Sequence, residues 1–498
     1  MSRENIVITI IFAIVCVSFL FWGYSTTNSY VFFTIAAIFG VFLAFNIGAN
    51  DVANAFGTSV GAKTLSIKQA LIIAAIFEFS GAFFAGAEVT ATIRSGIVSV
   101  KDNIEPIHFA YVMMSALCAA SVWIFIATFK SLPVSSTHSI VGGILGSALA
   151  LGFISQNNSS EVSWSGIGTI VLSWFVSPVL GGLLSYFVYS LVYKFIVIPT
   201  KEKTIALKQI KKDKEEYKKQ YIDDFMQSEK SKQYSELYGI LLNEKGEYSN
   251  RLKEFSKREK AVDVSGFLSK RIPVLAALIA FVISSMLFFK ALKNVDTGLS
   301  HFSLALIILL ITISAYIICV GIINIMKKGE PKKAVNRIFS WFQIFTACTF
   351  AFSHGANDIS NAVGPFAAIL DILHTNSVNP TSAVPTIVML VFGISLVAGL
   401  WFLGKSVIKT VGKNLAKIKP TTGFSAEFAS AIVILLATQL GIPISSTHIL
   451  IGAVLGIGVF NKNANWKMMK PIGLAWVITL PASALMSALF LSLLYYLF

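Results

Sequence analysis

The sequence predicts an all-α polytopic membrane protein of about 12–13 transmembrane segments, arranged as two inverted-topology repeats. Three observations carry this prediction. Of 498 residues, 55% are hydrophobic and only 13% charged, whereas a soluble domain carries roughly a quarter of its residues charged. Apolar runs long enough to cross roughly 30 Å of hydrocarbon recur along the chain. Two short polar motifs each occur twice, in the same order. The composition excludes a soluble enzyme. The net charge of +15 does not point to nucleic acid, because basic residues in a membrane protein record which loops stay in the cytoplasm.

Taken in order, the runs fall near 6–24, 31–47, 68–93, 108–129, 165–198, 273–291, 302–326, 338–356, 384–404, 424–440 and 470–498. Two shorter runs, 139–154 and 449–460, read either as full spans or as half-helices of re-entrant hairpins. The first run, from Ile6 to Tyr24, is too long for a signal-peptide core and lacks a small-residue cleavage site, so it reads as a retained span. Cys16, Cys118, Cys319 and Cys348 sit in apolar runs without metal-ligand spacing and read as membrane-core residues.

The resulting organisation is an N-terminal span and loop at 1–30, a first repeat at 31–198, a charged insert at 199–272, two connecting spans at 273–337 and a second repeat at 338–498. Within the insert, residues 201–271 hold 31 of the 65 charged residues, with no proline between Pro199 and Pro273. That composition favours helix and predicts a cytoplasmic helical hairpin or short coiled coil. With the N-terminus inside, only Arg94, Lys101, Lys290 and Lys293 of the 40 basic residues fall on the far face.

The duplicated motifs carry the candidate chemistry. Gly48-Ala-Asn50-Asp51-Val-Ala-Asn54-Ala recurs as Gly355-Ala-Asn357-Asp358-Ile-Ser-Asn361-Ala, an offset of 307. Pro133-Val-Ser135-Ser136-Thr137-His138 recurs as Pro443-Ile-Ser445-Ser446-Thr447-His448, an offset of 310. Seven runs separate the start of one copy from the start of the next, an odd number, so the second copy enters from the opposite side. Removing 108–129 and 139–154 as a re-entrant pair preserves that parity, whereas removing only one of them reverses it.

In the first motif, Gly, Asn and Asp disfavour an uninterrupted helix and are costly in hydrocarbon unless they face a polar cavity. A single Asp there reads equally as a snorkelling helix end. Asp51 and Asp358 at matched positions predict coordination of a hard monovalent cation, with Asn54 or Asn361 supplying a neutral oxygen or an N–H donor. The second motif sets three hydroxyls after a proline and before a Gly-rich apolar run, the pattern of a helix N-terminus. Such an end binds anions, and two copies from opposite sides can converge on one tetrahedral oxyanion. Gly142, Gly146, Gly452 and Gly456 permit close helix approach. Neither motif contains Lys or Arg, so the anion depends on neutral donors, dipoles and co-bound cations, which is the logic of symport.

Glu78 lies deep in 68–93 with no basic neighbour in sequence, and reads as a coupling group or a structural hydrogen-bond partner. Glu427 reads as a packing or interfacial residue near a span entrance. His138 and His448 read as local hydrogen-bonding groups that hold the hydroxyl turns.

At these residues the sequence resembles the inorganic phosphate transporter (PiT) family, whose signatures are similar to Gly48–Thr58 and Gly355–Pro365. The Pro-Val/Ile-Ser-Ser-Thr-His elements match too, with Ser-Ser-Thr where the family often has Ser-Thr-Thr. The resemblance covers about 31–198 and 338–498. It implies a non-enzymatic symporter of inorganic phosphate in the cell membrane, coupled to Na⁺ or H⁺, without a bound cofactor and assembled as a homodimer. It also implies that Asn50, Ser135, Ser136, Thr137, Asn357, Ser445, Ser446 and Thr447 surround phosphate. Asp51, Asn54, Asp358 and Asn361, with Glu78 beside them, would serve the coupling ion. Rival readings are a sulfate permease of the same fold, an anion channel and, remotely, an intramembrane hydrolase using Ser135 or Ser445 with a nearby His.

Overall fold

A computed structural model of the chain describes residues 3–27, 29–100, 105–130, 134–155, 160–227, 246–262, 264–291, 298–325, 331–379, 383–405, 407–408 and 418–497. Among these, 11 helices are long and apolar enough to cross a membrane. The chain forms two compact units, one of Met1–Tyr189, Ile283–Leu304 and Phe339–Phe498, the other of Ser190–Val282 and Ala305–Ile338.

The first unit begins with α1 (Arg3–Thr26), α2 (Tyr30–Gly61), α3 (Ile67–Ala85), α4 (Ala87–Ser95), α5 (Pro106–Phe129), α6 (Ser136–Ile154) and α7 (Trp164–Val192). The second unit contains α8 (Ile198–Gln227), α9 (Glu247–Ala261) and most of α10 (Val264–Met286) and α11 (His301–Ile325). There follow α12 (Pro331–Asp358), α13 (Ser360–Thr375), α14 (Thr386–Gly399), α15 (Pro420–Gln439), α16 (Ser446–Phe460), the single turn α17 (Lys470–Leu474) and α18 (Leu480–Leu497). A small antiparallel ribbon, β1 (Val98–Val100) with β2 (Ser160–Val162), pairs Val98 with Val162.

Several boundaries differ from the sequence reading. The expected 31–47 span does not stop at the first motif, since α2 runs through it to Gly61. The motif amide of Asn50 finds a lateral partner and leaves the helix continuous, its Nδ2 donating to Thr128 Oγ1 of α5 at 3.0 Å. Only the second copy breaks, between α12 and α13, where Ala362 N–H turns to Ile359 O at 3.0 Å. The 68–93 run is divided at Gly86, where a Cβ would lie 2.7 Å from Ile359 Cγ2. Run 139–154 becomes α6, 19 residues long and able to span, while 449–460 becomes the shorter α16. Run 338–356 lies within α12 and is not among the 11 apolar spans.

The two repeats interleave. A Cβ on Gly48 of α2 would meet Leu396 O of α14 at 1.8 Å, and one on Gly355 of α12 would meet Glu78 O of α3 at 2.2 Å. Each motif helix therefore crosses a helix of the other repeat at backbone contact, which only glycine permits. The helices behind the hydroxyl turns do the same: Gly146 of α6 faces Ala484 O of α18, and Gly452 of α16 faces Pro178 O of α7. Away from these seams a buried aromatic cluster joins Phe19, Phe33, Phe366 and Phe392, with Phe366 and Phe392 centroids 5.0 Å apart.

In the second unit, Lys214 lies 3.8 Å from Glu259 and the Tyr217 ring stacks on Tyr248 at 6.0 Å. Later residues of α8 thus meet earlier residues of α9, so the two helices run antiparallel as the expected hairpin. Its connection, 228–245, lies outside the described residues.

Candidate functional site

The two hydroxyl turns are near-copies of one another. Ser135 caps α6 with φ −96° and ψ 120°, and Ser445 caps α16 with φ −97° and ψ 109°. Each Oγ accepts the backbone N–H of the His three residues on, at 3.3 Å for His138 and 3.4 Å for His448. Capping occupies one N–H of each helix and leaves the hydroxyls of the next two residues at a positive helix end. Ser135, Ser136, Thr137, Ser445, Ser446 and Thr447 are all buried.

The motif asparagines brace the segments leading into these turns. Asn50 Nδ2 donates to Thr128 Oγ1 at 3.0 Å, and its Oδ1 accepts Val134 N–H at 3.4 Å. Asn357 repeats the pattern, donating to Thr438 Oγ1 at 3.1 Å and accepting Ile444 N–H at 3.3 Å. Asn361 instead reaches across the repeat boundary, its Nδ2 donating to Ser136 Oγ at 3.3 Å and Thr137 Oγ1 at 3.2 Å. Thr137 crosses as well, donating to Ile444 O at 2.9 Å. The side chain of Asn54 lies outside the described residues.

Asp51 and Asp358 converge. One ligand atom from each, together with one from His354, lies within a 4.8 Å cluster. Asp358 accepts Ser446 Oγ at 3.3 Å, and His354 Nε2 lies 2.9 Å from its Oδ2, off the hydrogen-bond direction and so an electrostatic contact. The other ring nitrogen, Nδ1, lies 2.7 Å from Glu78 Oε2. Among the described residues neither buried Asp51 oxygen has a donor in full hydrogen-bond geometry, although the Ser136 hydroxyl lies beside this carboxylate as Ser446 lies beside Asp358. His354 was not legible as a site residue, although its i−4 spacing from Asp358 puts both on one helical face. Glu78 finds its basic partner 276 residues away.

The repeats are unequal here. The 307-residue offset matches His354 with Ile47, and the crossing glycines match Glu78 with Leu396. The imidazole bridge therefore belongs to one half only.

Glu427 departs from its sequence reading. It is fully buried rather than interfacial, because α15 begins at Pro420 and carries it two turns inward. Its Oε1 accepts Thr58 Oγ1, Ser59 Oγ (2.7 Å) and Gln343 Nε2 (3.2 Å), and its Oε2 accepts Thr346 Oγ1 (3.0 Å). These donors come from both repeats, a convergence no local pattern announces. His138 stacks on Trp174 with centroids 3.7 Å apart and sits 4.9 Å from His448, while its Nδ1 lies 2.6 Å from Ser135 Oγ. Among the described residues no hydrogen-bond partner meets the far nitrogen, Nε2.

Apolar spans enclosing a buried polar centre, built from duplicated motifs that meet across a repeat boundary, define a repeat-built membrane transporter. Within that class, the model of the phosphate transporter family matches residues 47–487, and the chain belongs to this family. A "putative phosphate permease" of Mycobacterium bovis is 43% identical over 493 residues, covering 95% of this chain and 89% of that protein. "Inorganic phosphate transporter 2-1, chloroplastic" of Arabidopsis thaliana is 33% identical, covering 91% of this chain and 70% of that protein. The solved structure described as "The sodium-dependent phosphate transporter" superposes with a TM-score of 0.73 at 32% identity, covering 94% of this chain and all of that one. The chain is thus a multi-pass membrane protein of a phosphate-transporting family.

Proposed function

We propose that this protein is a cation-coupled symporter of inorganic phosphate. The observation that carries the coupling is the convergence of two buried carboxylates, Asp51 and Asp358, of whose four oxygens only Asp358 Oδ2 has a donor in full hydrogen-bond geometry among the described residues. Burying an uncompensated carboxylate costs several kcal/mol, roughly, and a cation or proton removes that cost. Carboxylate and hydroxyl oxygens suit Na⁺, the ion named for the solved structural relative.

In this reading, Asp51 and Asp358 hold the coupling ion, with Asn54 and Asn361 beside them. Phosphate lies against the hydroxyls of Ser135–Thr137 and Ser445–Thr447, and Asn50 and Asn357 fix the two turns that present them. Glu78 acts through His354 on Asp358. The hydroxyls and helix ends donate to phosphate oxygens, while a carboxylate accepts the proton that phosphate carries and dianionic sulfate lacks. The functional unit is a homodimer in the cell membrane.

Proteoliposomes holding the purified protein test this directly. An inward Na⁺ gradient is expected to drive labelled phosphate uptake, with excess sulfate competing weakly. Uptake unaffected by either a Na⁺ or a pH gradient would indicate a channel, and equal competition by sulfate would overturn the phosphate assignment.

A further inference from the structure

One buried charge pair in the first unit is left unused by the transport site. Arg94 of α4 and Asp371 of α13 are only 4% and 8% exposed, and Arg94 Nη2 lies 2.7 Å from Asp371 Oδ2. The same oxygen accepts the backbone N–H of Asn379 at 3.1 Å. The pair joins the two repeats, since α4 belongs to the first and α13 to the second.

At its other end, α4 reaches the site itself. Ser360 Oγ, beside the α12–α13 break, donates to Gly86 O at 2.9 Å, and Thr90 Oγ1 donates to the same carbonyl at 2.7 Å. Ser360 precedes Asn361, whose amide holds Ser136 and Thr137. A Cβ on Gly441 would lie 3.1 Å from Thr92 Oγ1, so the turn leading into Pro443–Thr447 also seats on α4. This nine-residue helix, bounded by Gly86 and Gly96, therefore touches both parts of the second repeat that build the site.

The pair is also one-sided. Subtracting the offset of 307 from 371 gives position 64, occupied by the neutral Thr64, which donates to Gln343 Oε1 at 2.6 Å. In transporters built from inverted repeats, the opposite faces open alternately along the repeat boundary. Charges that pair when buried and hydrate when exposed come near to balance, so such a contact can break and re-form.

We propose that Arg94–Asp371 is a latch that shuts one face of the site by holding α4 against α13, and that these helices part in each transport cycle. The proposal rests on the transporter reading above. Its test uses a readout that needs no phosphate movement. Ser360→Cys, placed between latch and site in a protein whose four native cysteines are replaced, reports separation of the two helices through its rate of modification by a hydrophilic maleimide. Modification is expected to be slow with the latch intact, roughly tenfold faster in Asp371→Asn and Arg94→Gln, and slow again in Arg94→Lys, which keeps the charge. Equal rates in all four proteins would overturn the latch.

A second measurement uses the Arg94→Cys/Asp371→Cys protein bridged by a cleavable bifunctional thiol reagent. Phosphate uptake is expected to stop on bridging and return on cleavage. Uninterrupted uptake would show that α4 and α13 never part and would overturn the proposal. A parent protein that moves no phosphate would instead defeat the transport reading, while the labelling rates would still decide whether the latch exists.

Discussion

Asp51 and Asp358 occupy matched motif positions but different surroundings. Asp358 accepts Ser446 Oγ and sits against His354, whereas Asp51 has Ser136 beside it but no donor in full hydrogen-bond geometry among the described residues. Asp51 therefore has more to gain from a bound cation, and its replacement removes the ligand with the fewest alternatives. Asp51→Asn is expected to raise the Na⁺ concentration for half-maximal phosphate uptake by roughly tenfold or more, about 1.4 kcal/mol per factor of ten. Asp358→Asn should do the same less steeply, because His354 retains Glu78. Uptake measured against Na⁺ concentration, on protein shown to be folded by its helical circular dichroism, checks both; an unchanged Na⁺ dependence in Asp51→Asn would remove it from the cation site. Both aspartates were legible because duplication singles them out. His354 and the donors around Glu427 were not, since the 307-offset counterpart of His354 is Ile47 and the Glu427 donors Thr58 and Ser59 lie more than 360 residues away in sequence.

Helix crossings explain how separate stretches of chain deliver these side chains to one place. The seams at Gly48 and Gly355 bring backbone against backbone, each between a motif helix and a helix of the opposite repeat. A methyl group at Gly48 would stand 1.8 Å from Leu396 O, a backbone atom that cannot rotate away, whereas one at Gly168 would meet nothing within 4 Å. Gly48→Ala should force α2 and α14 apart, costing about 1–3 kcal/mol as overpacking does, or more where backbone must move. Thermal unfolding in detergent is expected to show a clear fall in midpoint for Gly48→Ala and no fall for Gly168→Ala; equal midpoints would mean the seam is loose. Composition and spacing gave advance notice that Gly142, Gly146, Gly452 and Gly456 sit at close approaches. They gave no notice that the partner helix comes from the other repeat, because pairing between helices is set by packing shape rather than by local pattern. The break at Gly86 escaped for a related reason: the 68–93 run stays apolar across it, and what demands glycine there is Ile359, 273 residues away.

For the whole molecule, the consequential property is orientation, because the proposed inverted repeats, facing opposite ways, would give one site with two exits. Basic residues supply the argument: all but Arg94, Lys101, Lys290 and Lys293 of the 40 thread to one face, and a bias of that size sets topology when carried by short loops near helix ends. The 201–271 segment contributes less to this bias than its charge count implies, since long loops translocate largely regardless of charge. The short loops carry it instead, among them the turns at Lys63 and Lys462, which follow α2 and α16 with φ values of 60° and 56°. Lys462→Cys is accordingly expected to resist an impermeant maleimide applied to sealed, right-side-out vesicles and to react once they are permeabilised. Leu299→Cys, 45% exposed just before α11, is expected to react at once. Reaction of both cysteines from the outside would place the two loops on one face, contradict the threading of Lys462 to the inside and mean that the short α16 enters and leaves by the same side.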